Sequence, residues 1–184
     1  MRTTRFSLNV SLDGYCDHTM FNPDEAVLDY FTDMMGDVDT AFYGRIMYQL
    51  MFPYWSDVAR NQSGSPAENR FAERLSAISS VVVSKSLEQL DSNVQIVRSD
   101  PAGALLKLKQ QKGKTILVDS ISLLPELASA GLIDEFNLVI HPVFVGRGRH
   151  LFNPASLLEN INLKLADSKV FKCGAVALHY KNSR

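Results

Sequence analysis

Thr115-Ile-Leu-Val-Asp-Ser-Ile-Ser-Leu-Leu-Pro-Glu-Leu-Ala-Ser-Ala-Gly-Leu-Ile-Asp-Glu-Phe-Asn-Leu-Val-Ile-His-Pro-Val-Phe-Val-Gly-Arg-Gly148 reads as strand, polar turn, short helix and strand. Ile116 to Val118 is an uninterrupted apolar run, the mark of a strand buried on both faces, and it stops at Asp119-Ser120. Ser122 is the expected N-cap of the following helix. Pro125 falls in a first turn where its missing N–H costs little, Leu123, Leu124, Leu127 and Ala128 share one face, and Gly131 ends the helix. Open α/β sheets take ligands just beyond the carboxyl ends of their strands, so the turn from Asp119 to Ser122 is the first place to expect a site.

Strands alternate with helices upstream. Arg5 to Leu12 alternates Phe6, Leu8, Val10 and Leu12 with Ser7, Asn9 and Ser11, a half-buried strand that meets Asp13-Gly14, where glycine can take a positive φ. An acidic first turn at Asp24 and Glu25 predicts an amphipathic helix from Pro23 to Gly36. Thr40 to Tyr43 is a strand ending at Gly44-Arg45, and Ile46 to Met51 is the next helical stretch. Pro53-Tyr54-Trp55 and the polar run Asn61 to Pro66 predict an exposed loop. Glu68 to Leu75 follows as helix, Ser80 to Ser84 as buried strand with Lys85 at its end, Val94 to Val97 as strand, and Ala102 to Gln110 as helix with Lys107 and Lys109 outward.

Downstream, Phe136 to Val145 reads as a long strand in which His141-Pro142 marks a bulge or an edge. Leu163 to Phe171 and Ala175 to Tyr180 form a closing hairpin. The pattern predicts one domain over residues 1–184: an α/β fold with a mostly parallel central sheet flanked by helices and antiparallel C-terminal edge strands.

Composition narrows the function. A chain of 184 residues with 46% hydrophobic content can bury one substantial core, and a net charge of −1 without massed basic residues gives no footprint for nucleic acid or an anionic membrane. No apolar run reaches a membrane span and the N-terminus lacks a signal core, so a cytoplasmic protein is expected. Cys16 and Cys173 match no metal or redox spacing and are expected as reduced thiols. His18, His141, His150 and His179 lack ligand spacing, so no metal is predicted, and His141 reads as a hydrogen-bonded structural residue. Asp134-Glu135 reads as a pair of solvated turn carboxylates ahead of an acid/base pair; Cys16 as a small buried residue or a pocket thiol; Tyr30, Tyr48, Tyr54 and Trp55 as core or as the floor of a flat ligand.

Gly44-Arg45, Ser84-Lys85 and Asp119-Ser120 lie at the same end of successive strands, an arrangement suited to a phosphorylated ligand. Ser11-Leu12-Asp13-Gly14-Tyr15, Tyr43-Gly44-Arg45-x-x-Tyr48, Tyr54-Trp55, Val81-Val82-Val83-Ser84, Gly131-Leu132-Ile133-Asp134-Glu135, His141-Pro142-Val143 and Gly146-x-Gly148-x-x-Leu151-Phe152 occur in one order over nearly the whole chain. This ordered set resembles the dihydrofolate reductase-like family typified by the C-terminal reductase domain of the bifunctional riboflavin-biosynthesis protein. The resemblance implies NADPH as hydride donor, a small pteridine- or pyrimidine-like substrate, and a homodimer. It places Asp13 and Gly14 by the nicotinamide, Gly44 and Arg45 at the adenosine phosphate end, and Ser84 and Lys85 near the 2′-phosphate. Asp119 and Ser120, with Ile121 and Leu123 after them, fall at the pyrophosphate turn. No catalytic residue is assigned.

Two positions depart from the family pattern. Asp119-Ser120 stands where Gly-Gly is usual, adding a Cβ and a negative charge where backbone N–H groups would approach phosphate, and Met47 replaces a threonine. The expectation is a family fold with a weakened cofactor site. Two functions stay open: an NADPH-dependent reductase of a planar heterocycle, or a divergent binding protein in which Asp119 accepts hydrogen bonds from a neutral or cationic ligand.

Overall fold

A computed structural model of the chain describes residues 1–21, 24–88, 94–153 and 160–183. Pro23, the expected first residue of the first helix, lies outside them, as does the side chain of His18. Eight strands make one sheet: β1 (Thr4–Ser11), β2 (Val38–Gly44), β3 (Ser79–Val83), β4 (Val94–Val97), β5 (Thr115–Asp119), β6 (Glu135–His141), β7 (Leu163–Val170) and β8 (Val176–Asn182), in the order β4-β3-β2-β5-β1-β6-β8-β7. The pairs from β4 to β6 are parallel, whereas β8 runs antiparallel to both β6 and β7. The expected mostly parallel sheet with antiparallel C-terminal strands is present.

Strand β5 shows why its sequence is unbroken. Ile116 and Val118 face a core built with α4 (Pro101–Gln110) and α5 (Leu124–Ser129), where Leu105, Leu124 and Leu127 are fully buried. Leu117 faces the opposite core, shared with α2 (Arg45–Asn61) and α3 (Pro66–Ser76) through Tyr48, Phe71 and Leu75. Helix α1 (Glu25–Met34) lies on that second side and packs Val27 against Val139 and Phe171. Its N-cap is Asp24, whose carboxylate accepts the Val27 N–H.

The structure corrects several local expectations. Pro53-Tyr54-Trp55 is not loop but the middle of α2, which runs 17 residues. An interior proline costs a helix about 3 kcal/mol, and here packing offsets it: Trp55 meets the Phe71 ring at 4.6 Å, and Phe52 stacks on Tyr48 at 4.8 Å. The connection shrinks to residues 62–65, closed by a capping box between Ser65 and Glu68. Strand β6 stops at His141 because Pro142 cannot donate to the ladder, and it is an interior strand between β1 and β8, not an edge. Leu12 lies past the end of β1 and is 53% exposed.

Lys109 points inward, not out. It is 4% exposed, donates to Thr4 Oγ1 at 2.9 Å and pairs with Asp134. Asp134 also accepts the Thr4 N–H at 2.7 Å, while Glu135 pairs with Arg5 at 2.8 Å, so both carboxylates are paired, although the Asp134 side chain stays 42% exposed. Removing Asp134 strands the buried Lys109 charge. Asp134→Ala is therefore expected to cost about 3 kcal/mol in urea unfolding, whereas Lys109→Met, which removes the buried charge itself, should cost less than half of that. Equal losses would contradict the assignment of Lys109 as the desolvated member.

Candidate functional site

The carboxyl ends of β1, β2 and β5 open into a cavity of about 740 Å³ on the side covered by α1, α2 and α3. Its walls are sulfur and aromatic surface: Met34, Met47, Met51, Tyr54, Trp55 and Phe71. Polarizable thioethers and rings suit a flat unsaturated ligand. Polar groups enter from the sheet, with Ser7 and Asn9 on β1 and Asp119 at the end of β5. Asp17 and Arg149, from two loops, also line it.

Asp119 is the chemically distinctive group. Its residue is 9% exposed, and burial alone raises its carboxyl from the ordinary range to about 7. Opposite it in register stands Tyr43, whose hydroxyl is driven upward by burial and further by Asp119 and Tyr48. An acid perturbed by burial in a cleft is a candidate functional group on physical grounds. Asn9 Oδ1 meets His141 Nε2 at 2.8 Å, and the His141 ring stacks on Phe21 at 4.7 Å, fixing His141 as the hydrogen-bonded residue expected. Burial lowers the pKa of His141. Cys16 lines the cavity as a thiol donating to the Arg149 carbonyl at 3.1 Å, and burial pushes it up to about 11, so it is no thiolate near neutrality.

Gly44, Asp119, Ser120 and Ile121 of the sequence-derived set come together at the cavity. Gly44 allows the closest approach: a Cβ there would overlap Ser120 Oγ and lie 3.1 Å from Ser120 Cβ. Ser120 Oγ accepts the Leu123 N–H at 3.3 Å and lies 3.3 Å from Ser122 Oγ. Ser122 is thus not the N-cap of α5; that position is Leu123, without a side-chain bond. Leu123 itself packs into the core on the far side of the sheet.

The other members lie elsewhere. Arg45 is exposed and donates to Gln49 Oε1 at 2.9 Å. Ser84 is buried, its hydroxyl accepting the Leu87 N–H at 3.0 Å, and Lys85 beside it is exposed. Asp13 and Gly14 form a latch between two loops. The Asp13 carboxylate accepts from Ser11 Oγ at 2.6 Å, Val145 N at 3.1 Å and Gly146 N at 2.8 Å, while Gly14, at φ +84°, offers its carbonyl to Leu151 N at 3.0 Å.

These bonds, led by Ser11, hold the Asp13 carboxyl down at about 2. A depressed acid supports the latch above the ordinary carboxylate pKa and loses that support as pH falls through its folded value. Amide exchange at Val145 and Gly146 should therefore accelerate as pH falls from 4 toward 2, relative to neighbouring amides; uniform behaviour would contradict the latch.

Sequence reasoning missed Ser7, Asn9 and Arg149 as cavity residues. The signal for the first two was present in the polar alternation of β1, whose outward face turns into the cavity beneath α1. Among the described residues, no group of three or more His, Cys, Asp or Glu side chains could hold a metal ion, and no helix is long and apolar enough to cross a membrane.

Sheet order and cavity position define a dihydrofolate reductase-like domain. The family follows from the chain itself: residues 2–177 match the RibD C-terminal domain model, and the protein belongs to that family. The uncharacterized protein YyaP of Bacillus subtilis is 29% identical over 177 residues, covering 94% of this chain and 91% of that protein. A putative riboflavin biosynthesis protein from Shewanella sp. PV-4 superposes with a TM-score of 0.75 at 18% identity, covering 99% of both chains. Dihydrofolate reductase from Enterococcus faecalis, solved with NADP(H) and RAB-propyl, superposes with a TM-score of 0.65 at 9% identity, covering 99% of this chain and 97% of that one.

Proposed function

We propose that this chain is a divergent, small-molecule-binding member of its family, and that the cavity receives a planar nitrogen heterocycle of the pyrimidine or pteridine class on Asp119. The buried, titrating acid at the end of β5 carries this reading. A 2-aminopyrimidine protonated on its ring presents two parallel N–H donors, which match the two oxygens of a carboxylate and form a charge-assisted pair. The methionine and aromatic walls then cover the ring faces.

NADPH, which the family resemblance implies, meets unfavourable residues here. The close approach between the Gly44 turn and the turn after β5 is taken by the Ser120 side chain, and a carboxylate stands beside it. Arg45 and Lys85 are exposed, and neither lines the cavity. A second reading, a reductase that uses the dinucleotide, draws on the family itself, whose model matches residues 2–177.

Trp55 is the single tryptophan and lines the cavity, so its fluorescence reports both ligands. Titration with 2,4-diaminopyrimidine should give a saturable change and titration with NADPH none up to millimolar concentration. Saturable NADPH binding with oxidation on adding the heterocycle would replace this reading with the reductase. No response to either compound would remove the heterocycle site.

A further inference from the structure

Asp119 is one member of a polar row that crosses the sheet beneath the helices. Tyr43 on β2 is its register partner on one side, and Ser7 on β1 lies one position beyond the Phe6–Val118 pair on the other. From Ser7 the register continues to Asn137 on β6, His179 on β8 and Asp167 on β7. All lie on the face that α1 covers near β6 and β8, and the neighbouring row there is apolar, with Val139 and Ala177 fully or almost fully buried. A sheet interior has no packing reason for such a row.

Three atoms in it are buried and lack a hydrogen-bond partner among the described residues: Ser7 Oγ, Asn137 Oδ1 and His179 Nε2. Asn137 is 3% exposed. His179 Nε2 approaches Glu135 Oε2 to 3.5 Å without making a hydrogen bond. Isolated orphans of this kind are disfavoured, because each forfeits its bonds to water on burial. Three on adjacent strands, spaced by about 4.8 Å per strand, are spaced for bridging water, which needs two or more polar partners at each position. One end of the row lines the cavity at Ser7, and the other reaches the half-buried His179 and the Glu135–Arg5 pair.

We propose that water molecules seated on Ser7 Oγ, Asn137 Oδ1 and His179 Nε2 make this row a proton path between Asp119 and the sheet edge. It rests on the ligand reading given above. When a cationic heterocycle pairs with a protonated Asp119, one proton leaves the carboxyl as the pair forms. It passes to the Ser7 hydroxyl and the bridging water, then to His179 beside Glu135, and so to solvent; the ligand keeps its own proton. The groups around Asp119 are Tyr43 and, behind it, Tyr48, with Cys16, Asp17 and Arg149 on the lining of the same cavity. Those around His179 are Glu135, Arg5 and Asp167, with Tyr30 and Lys169 above Phe171 nearby.

Two measurements test the path. A high-resolution crystal structure of the full chain should place ordered water within hydrogen-bond distance of all three orphan atoms; a dry row overturns the proposal. In stopped-flow mixing with 2,4-diaminopyrimidine at pH 6, an indicator dye should record one proton released per ligand bound. Asn137→Leu should slow that release by about tenfold, the equivalent of one lost hydrogen bond in the path, at unchanged equilibrium affinity. Release as fast as in the parent protein overturns the path while leaving the ligand site intact. Failure of the compound to bind removes the ligand reading, and the water positions still decide the row.

Discussion

Asp119→Asn is expected to make the protein more stable at pH 9 by on the order of 4 kcal/mol and to leave its stability at pH 4 nearly unchanged. The sign follows from a folded carboxyl raised to about 7 against an ordinary value of 3.8. Below the lower value both states hold the proton, and the residue is neutral in the balance. Between the two values the unfolded chain ionises while the folded one does not, so stability falls as pH rises. Above about 7 both are ionised and the full penalty persists. Urea unfolding of the parent protein should therefore show a decline across that window that the variant lacks. A parent protein with flat stability from pH 4 to 9 would mean that Asp119 is solvated or paired, and the cavity would lose its distinguishing group.

The second large effect concerns the dinucleotide. The double variant Asp119→Gly, Ser120→Gly is expected to gain affinity for NADPH by about a hundredfold at pH 8, where Asp119 is ionised. One charge near one phosphate at about 5 Å and an effective dielectric near 20 is worth roughly 3 kcal/mol. The single Asp119→Gly change, which removes the charge, should recover most of this gain, with the Ser120 side chain still at the approach to Gly44. Fluorescence titration of Trp55 reads both. A double variant no better than the parent would show that the turn after β5 is not what excludes the cofactor.

Much of the fold was legible because its signals are local. The apolar run of β5, the alternation of β1 and the closing hairpin each encode their own burial, and the alternation of strand with helix encodes the parallel order. Expectations failed where a distant partner decides the outcome. Pro53 stays helical because Phe71 receives Trp55, and Lys109 turns inward because Thr4 and Asp134 wait there. Asp119 could be picked out as the residue that breaks the family pattern, but its raised pKa depends on a burial that only the folded chain supplies. The transverse row was illegible for the same reason: Ser7, Asn137 and His179 are far apart in sequence, and only strand register puts them side by side. Asn137 amid the apolar run Phe136 to Ile140 was the visible trace.

The central claim is that Asp119 reads the ligand. Isothermal titration of 2,4-diaminopyrimidine into the parent protein and into Asp119→Asn at pH 6 tests it most directly. A charge-assisted pair predicts a loss of about 10- to 100-fold in affinity in the variant, with one proton released per ligand in the parent and none in the variant. Equal affinities with equal proton release would place the ligand elsewhere and contradict the account.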